Sequence, residues 1–357
     1  MTDDVYDDLV EEIVLLPEDL KKVKDGRHPN GKKFPVNLKN ECIFRGVSNT
    51  KYGLVPKALR TSDDGKYEIC KYLNSNTVEY HSASFRDIGC GNDDELTLQL
   101  QYKRELFILF RFLDWADKSG LKIPVSMSVR KLLHSNINHF PGYWPKSEFY
   151  EVISLAQHYG LPTCALDWSY DYKVALYFAV KNILNENEED CVLWAFNYKY
   201  FEKYSTFVVE DGLKSQNEPQ LRFYRPRYYN NSNLKAQKGL FTFLINKSET
   251  FNKHSFESLD KMVCNMVQRG IYNKNSNSEI EIGICGIEKF TLKENERIFY
   301  KFIIPGECKY EILKELYADG YSEEYLFPGY WGVAEAMKNR AEFYRLKDKY
   351  EKIKLNY

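Results

Sequence analysis

The chain has 357 residues, of which 43% are apolar, and its 50 Lys and Arg residues balance 51 Asp and Glu residues to leave a formal net charge of −1. That length and apolar content are sufficient for one large domain or two ordinary ones. The charge balance argues against a chain built mainly to coat nucleic acid or an anionic membrane, although a local basic patch is compatible with it.

The N-terminal residues are acidic and lack the basic region that opens a signal peptide. No apolar run approaches the roughly 20 residues that a membrane span needs. The eight cysteines show no short pairing such as Cys-x-x-Cys, so we expect reduced thiols and neither a zinc site nor a disulfide framework. These features predict a cytoplasmic protein with no membrane partner and no metal.

The first half of the chain is predicted to begin with an appendage over residues 1–38. An acidic amphipathic stretch and a polar connector with Pro and Gly lie there, before the first strand candidate at 41–47. Helical periodicity follows at about 67–82 and more strongly at 96–120, where Gly120 is the expected residue after the helix end.

Pro145 and Gly160 delimit another predicted helix, with the proline at its first position and the glycine at its end. The later elements are a short strand near 163–168, a helix at about 171–184, strands at 191–197, 239–245 and 299–305, a helix ended by Gly320, and a long helix at about 331–353.

Strands and helices alternate too irregularly for a doubly wound sheet, which favours the α+β class. We expect one large domain over 39–345, with a mixed or antiparallel β core flanked by helices. The segment 246–298, rich in Asn, Ser and Lys, is predicted to be a variable excursion with one helix near 256–269, and residues 346–357 the charged end of the last helix.

Several polar side chains are predicted to converge at one junction. Gln157 and His158 fall on the last turn of a helix, while Asp167, Trp168 and Ser169 stand where a strand passes into the next helix. A purely structural interpretation remains open, in which His158 interacts with the helix dipole and Asp167 forms a turn.

The tripeptide Phe44-Arg45-Gly46 lies on the first predicted strand. Side chains alternate along a strand, so Arg45 points to the face opposite that of Phe44 and Gly46. An arginine in an apolar strand needs a partner, which is either a nearby carboxylate in a salt bridge or a bound phosphate or carboxylate.

These motifs resemble those of FRG-domain proteins, a family named for the tripeptide and marked by a later block of the form QHxGxPTxxLDWxxxxxxALxFA. The likeness extends over about residues 40–340 and includes, besides Phe44-Arg45-Gly46, the segments 157–163, 166–168, 175–179, 236–242, 302–305 and 326–334. Cys164 and Ala165 depart from the basic and aliphatic residues that the family pattern has after Pro-Thr.

A second resemblance, to the ADP-ribosyltransferase fold, implies a function. It suggests an enzyme that uses NAD to modify a macromolecular acceptor, or that hydrolyses NAD, in a role suited to a toxin or a phage-defence effector. On this analogy, NAD or a similar nucleotide is held by Arg45, Gln157, Trp168, Ser169, Tyr177 and Phe178.

The catalytic residues implied by this second resemblance are Asp167, His158 and Gln237. The third motif of that fold carries a carboxylate, whereas this chain reads Ala236-Gln237-Lys238-Gly239. Gln237 can donate a hydrogen bond to a ribose hydroxyl but cannot offset a developing positive charge. Asp167 would then have to supply the negative charge, or the site binds without catalysing transfer.

Two alternatives belong to other classes of protein. The segment 222–238 has cations interleaved with aromatic residues, as in grooves for single-stranded nucleic acid, and its candidate contacts are Arg222, Arg225, Arg227, Lys235 and Lys238. A nucleic-acid-cleaving protein of this class would use His158 as the general base and Arg45 as the electrophile. The other alternative is a non-catalytic nucleotide-binding or scaffold module in which Arg45 and Asp167 form a structural ion pair.

Overall fold

The protein is described here by a computed structural model. The residues that it describes are 3–62, 65–73, 97–121, 140–199, 220–228, 231–247, 257–269, 271–283 and 289–354, with the single positions 88, 126, 127, 129, 131 and 201. None of the helices within these ranges has the length and apolar character needed to cross a bilayer.

Strands and helices are interspersed along these residues. The strands are β1 Val10–Val14, β2 Cys42–Val47, β3 Tyr143–Trp144, β4 Ala165–Ser169, β5 Cys191–Asn197, β6 Gln220–Tyr224, β7 Gly239–Lys247, β8 Ile271–Lys274, β9 Ile280–Gly283, β10 Phe290–Leu292 and β11 Phe299–Ile304. The helices are α1 Asp3–Leu9, α2 Leu20–Lys24, α3 Leu38–Glu41, α4 Leu98–Lys118, α5 Tyr150–His158, α6 Tyr172–Val180, α7 Ser232–Ala236, α8 Leu259–Arg269, α9 Lys309–Ala318, α10 Glu323–Leu326 and α11 Tyr330–Lys354.

The main sheet has eight strands in the order β1-β11-β5-β2-β4-β7-β3, with β6 paired to β7. β1 runs parallel to β11, and the other neighbours in this sheet are antiparallel. A second, three-stranded sheet has the order β10-β9-β8. The predicted α+β class, with a mixed β core flanked by helices, is therefore confirmed.

Most of the strands around the main sheet's centre were predicted closely, because each is a short apolar run between turn residues. β5 has its predicted bounds, and α4 ends before Gly120, which has the left-handed φ of +70°. Gly160 likewise follows α5 with a φ of +83°. α5 begins later than predicted, at Tyr150, because a 3-10 turn at Ser147–Phe149 precedes it.

Three regions differ from their predictions. The amphipathic stretch at 4–15 forms a helix only as far as Leu9, and β1 then joins the main sheet beside β11. The predicted helix at 67–82 is a 3-10 turn at Glu68–Tyr72, and the rest of it lies outside the described residues. The helix predicted in the segment 246–298 is present as α8. The small three-stranded sheet in the same segment was not predicted, because the segment is rich in polar residues.

The cysteine prediction was wrong for one residue. Cys70 is disulfide-bonded, whereas Cys42, Cys164, Cys191, Cys264 and Cys308 are free. Short spacings such as Cys-x-x-Cys are the usual sequence signal of a cysteine pair, and Cys70 is part of none. Within the described residues, no group of three or more His, Cys, Asp or Glu side chains is arranged to hold a metal.

Apolar cores cover both faces of the main sheet. One core joins Phe44 and Leu193 to α6, α9 and α11, and the other joins Ile43 and Trp194 to α8 and the small sheet. Phe44 and Ile43 therefore lie on opposite faces of β2, as the predicted alternation of side chains requires.

Gly46 allows α6 to lie directly against β2. A Cβ atom at this position would be 1.9 Å from the carbonyl oxygen of Ala175 and 2.7 Å from the backbone nitrogen of Ala179. Both contacts are to backbone atoms of a packed helix, which cannot rotate away as a side chain can. The glycine of the tripeptide is thus required by the close approach of helix to sheet.

We expect Gly46→Ala to lower the free energy of unfolding by about 3 kcal/mol or more, because the added methyl overpacks a rigid contact. Urea titration followed by circular dichroism measures this change. Ala341→Ser serves as the control, since this exposed position on α11 has room for one more atom. Equal stability of the Gly46→Ala and wild-type proteins would contradict the close packing described here.

Candidate functional site

The centre of the main sheet is split between β2 and β4. β2 pairs with β5 along all of its length, from Cys42 to Val47. In contrast, β2 and β4 share a single pair, Phe44 with Ser169. The two strands therefore separate beyond that pair, which leaves backbone groups without ladder partners and opens space above the sheet.

Arg45 bridges this split. Its Nη1 atom donates a hydrogen bond of 2.7 Å to the carbonyl oxygen of Asp167 and another to the Asp167 carboxylate. The Arg45 side chain is only 9% exposed, and its Nε atom is buried without a hydrogen-bond partner among the described residues. The guanidinium thus takes the place of the missing β2–β4 ladder.

Gln157 holds the Asp167 carboxylate from the other side. Its Nε2 atom donates to Asp167 Oδ1 at 3.0 Å, and its Oε1 atom accepts from the Thr163 hydroxyl at 2.9 Å. The Thr163 hydroxyl also accepts from the backbone N–H of Ala165 at 3.2 Å, at the start of β4. This chain of hydrogen bonds fixes both the end of α5 and the orientation of Asp167.

The Asp167 carboxylate is ionised and still accessible, with 51% of its side chain exposed. Desolvation raises the pKa of Asp167, but the Arg45 charge and the hydrogen bonds from Arg45 and Gln157 outweigh it and lower the pKa to about 2. The site therefore presents a fixed negative charge at neutral pH.

His158, at the last residue of α5, is half-buried beside this carboxylate. Desolvation lowers the pKa of His158 below its usual value, and the nearby Asp167 charge opposes that shift only in part. The imidazole is therefore neutral at pH 7 and able to accept a proton.

A cavity of about 550 Å³ lies over the split in the sheet. This volume is within the range of about 300–1,000 Å³ that small-molecule sites occupy. Arg45, Asp167 and Ser169 line it from the strands, Gln157 and His158 from the end of α5, and Gln237 from the turn before β7. The structure thus brings the main polar residues of both predicted motifs together in one place.

Aromatic side chains from α6 and the C-terminal segment form one wall of the cavity. The ring of Phe178 meets that of Phe327 edge to face at 6.1 Å, and Phe327 meets Trp331 in the same way at 5.2 Å. Trp331 is 63% exposed, so a broad ring face remains available at the cavity rim. Lys181 also lines the cavity, with its ammonium 5.2 Å from the Phe178 ring centroid.

Ser169 and Gln237 are joined to each other in the cavity wall. The Ser169 hydroxyl donates to the Gln237 carbonyl oxygen at 2.7 Å and accepts from the Asp171 backbone N–H at 2.9 Å. The Gln237 side chain donates to the Leu326 carbonyl oxygen at 3.1 Å. These hydrogen bonds link β4 to the turn before β7, and that turn to the end of α10.

Two predicted ligand-stacking residues are buried, although Trp168 is among the residues that line the cavity. Trp168 is 3% exposed, packs against Phe196 and donates from its indole N–H to the Thr242 hydroxyl at 2.9 Å. Tyr177 is 1% exposed, and its hydroxyl donates to the buried carboxylate of Glu323. Strand alternation and the inward face of α6 bury these two rings, whereas Phe178 lines the cavity and is partly exposed.

The predicted nucleic-acid contacts do not form a stripe of unpaired cations. Arg222 donates to the Gln220 side chain, and burial lowers its pKa. Arg225 donates to the Tyr170 hydroxyl and lies over the Tyr170 ring, while Lys238 forms a 2.8 Å ion pair with Asp171. Arg227 and Lys235 are exposed. Nucleic-acid binding by this segment stays a prediction.

Some residues of the site were missed from the sequence. Lys181, Phe327 and Trp331 line the cavity but had been given no role, although Phe327 and Trp331 fall in a segment quoted for the family resemblance. Arg60 was also missed. It donates to the Val55 carbonyl oxygen, and desolvation with repulsion from Arg45 lowers its pKa to about 10.

Comparison with known proteins identifies one part of the chain. Residues 40–188 match the family model of the FRG domain, so the chain contains an FRG domain. This region includes Arg45, Gln157, His158 and Asp167, whereas the aromatic residues contributed by the C-terminal segment lie beyond it. No curated protein and no solved structure matches the chain.

The depressed pKa of Asp167 links the site to acid stability. The ionised Asp167 carboxylate stabilises the folded protein. This contribution is fully present above about pH 4, where the carboxyl is ionised even in the unfolded chain, and it is lost as the pH falls through about 2. We expect Asp167→Asn to lower the free energy of unfolding by about 1–2 kcal/mol at pH 5–7. Solvent screening of the exposed side chain keeps this value small. The difference from wild type should shrink between pH 4 and pH 2, as measured by urea titration at each pH.

The matched control is Asp25→Asn, because this exposed carboxylate makes no ion pair among the described residues. Its stability relative to wild type should change little over the same pH range. A stability difference for Asp167→Asn that is independent of pH would show that the carboxylate charge is not stabilising.

Proposed function

We propose that this FRG-domain protein is a nucleotide-handling enzyme that binds NAD or a similar nucleotide in the cavity and breaks the bond between nicotinamide and ribose. The observation that carries the proposal is the state of Asp167. Its carboxylate is ionised, oriented by Arg45 and Gln157, and half exposed in a cavity with aromatic rings and a neutral histidine.

Cleavage of this bond requires a negative charge beside the ribose. The electron pair of the broken bond leaves with the nicotinamide ring nitrogen, and the ribose becomes a cation resembling an oxocarbenium ion. A carboxylate that is already ionised and oriented stabilises this cation without reorganising during the reaction. Asp167 therefore supplies the charge that Gln237 lacks.

His158 completes the reaction by accepting a proton. A nucleophile that captures the ribose cation, either water or a group on an acceptor, must lose a proton to become neutral. The lowered pKa of His158 keeps its imidazole unprotonated at pH 7, so the ring is able to accept that proton. Hydrolysis and transfer to a macromolecule share this chemistry and differ in the nucleophile. A toxin or phage-defence role is compatible with either.

Arg45 has a different role from the one that the resemblance implied. Its charge is already balanced by Asp167, so it does not present a free cation to a pyrophosphate. It instead keeps the carboxylate ionised and oriented. This assignment makes Arg45 a positioning residue.

A non-catalytic binding or scaffold module is the second candidate function. The bond from Arg45 to the Asp167 carbonyl oxygen favours it, because that bond replaces backbone pairing across the split in the sheet. On this interpretation the ion pair only stabilises the fold, and removing its carboxylate would cost about 3–5 kcal/mol.

The proposal is tested by incubating the purified protein with NAD and measuring released nicotinamide. We expect turnover by the wild type and a loss of about 100-fold or more in Asp167→Asn, because the carboxamide keeps the shape but not the charge. The binding affinity for NAD should change much less. Glu324→Gln is the matched control, since it removes an exposed carboxylate from α10 outside the cavity.

Two results would contradict the enzyme proposal. The first is a wild-type protein that binds NAD but releases no nicotinamide, alone or with candidate acceptors. The second is an Asp167→Asn variant with unchanged turnover. A stability loss of several kcal/mol together with the first result would support the scaffold module.

A further inference from the structure

Lys181 stands at the end of α6, where the helix passes into a 3-10 turn at Lys181–Asn185. It lines the same cavity as Asp167 and Phe178. Its ammonium lies 5.2 Å from the Phe178 ring centroid and 6.0 Å from that of Tyr177. The aromatic wall therefore carries a positive charge at one end.

The ammonium of Lys181 is in no ion pair among the described residues. Glu323 is a nearby carboxylate, but one of its oxygens already accepts hydrogen bonds from Tyr177, Tyr317 and Asn339, and Glu323 is 1% exposed. Desolvation lowers the pKa of Lys181, and the negative charges of Glu323 and Glu335 oppose that shift only in part.

The other cation of the cavity is already neutralised. Arg45 is paired with Asp167 and only 9% exposed, so it offers no free positive charge to a ligand. The ammonium of Lys181 would therefore be the positive charge that attracts an anionic group in the cavity.

We propose that Lys181 and the adjacent aromatic wall form a phosphate subsite, so that the cavity selects phosphorylated nucleotides over nucleosides. In this arrangement the ammonium of Lys181 binds a phosphate oxygen, and the rings of Phe178, Phe327 and Trp331 contact the apolar parts of the ligand. The inference rests on the proposed function in one respect, which is that the ligand is a nucleotide.

The test compares ligands that differ in phosphate. Isothermal titration of the full chain with ADP-ribose and with adenosine gives both affinities for the wild type, Lys181→Met and Lys181→Arg. We expect Lys181→Met to weaken binding of ADP-ribose by about 10-fold or more, as for loss of a charge-assisted hydrogen bond, and to change adenosine binding by less than about twofold. Lys181→Arg should retain most of the preference for ADP-ribose.

Lys338→Met is the control for overall charge, since its ammonium is on α11, 70% exposed and outside the cavity. It should leave both affinities unchanged, and a thermal melt of each variant verifies folding. Equal losses for ADP-ribose and adenosine in Lys181→Met would overturn the subsite, because the lysine would then only shape the cavity. If Lys181→Met binds ADP-ribose as tightly as the wild type does, the subsite is overturned but the proposed function is not. If the wild type binds no nucleotide, the proposed function is overturned as well.

Discussion

The hydrogen bonds from Arg45 to Asp167 connect the two parts of the main sheet. β2 and β4 share one residue pair, and beyond it the guanidinium spans the space that backbone hydrogen bonds would otherwise close. If β2 and β4 were hydrogen-bonded along their whole length, there would be no room between them. The split needs the arginine, because unpaired backbone groups in a buried sheet are costly. The cavity and the stability of the sheet centre thus have a common origin.

The three residues of the tripeptide act on different parts of this arrangement. Phe44 fills the core under α6, Arg45 crosses to β4, and Gly46 lets α6 contact the strand backbone. The close contact of α6 with β2 determines where the later residues of the helix lie. Phe178 and Lys181 consequently border the cavity, although both are far from β2 in the sequence.

The sequence was sufficient to predict the strands at the centre of the sheet and the helix end at His158, because each is a short pattern bounded by Gly or Pro. It also predicted that Arg45 needs a carboxylate or an anion as its partner. It did not predict which of the rings are buried, since Trp168 and Tyr177 are distinguished from Phe178 only by the faces that their strand and helix bury. Phe327 and Trp331 arrive from a distant segment through tertiary packing, which local patterns do not encode.

The same ion pair allows one site to combine a structural role with the chemical role that we propose. A buried arginine would normally neutralise a carboxylate and remove it from chemistry, but here the two partners differ in exposure, at 9% for Arg45 and 51% for Asp167. The buried partner provides the field that keeps the acid ionised, and the exposed partner presents that charge to the cavity. Because Arg45 is neutralised in this way, positive charge for a ligand must come from elsewhere in the wall. Lys181 is the residue that we propose for this role, and it lines the cavity from the end of α6 and not from the strands.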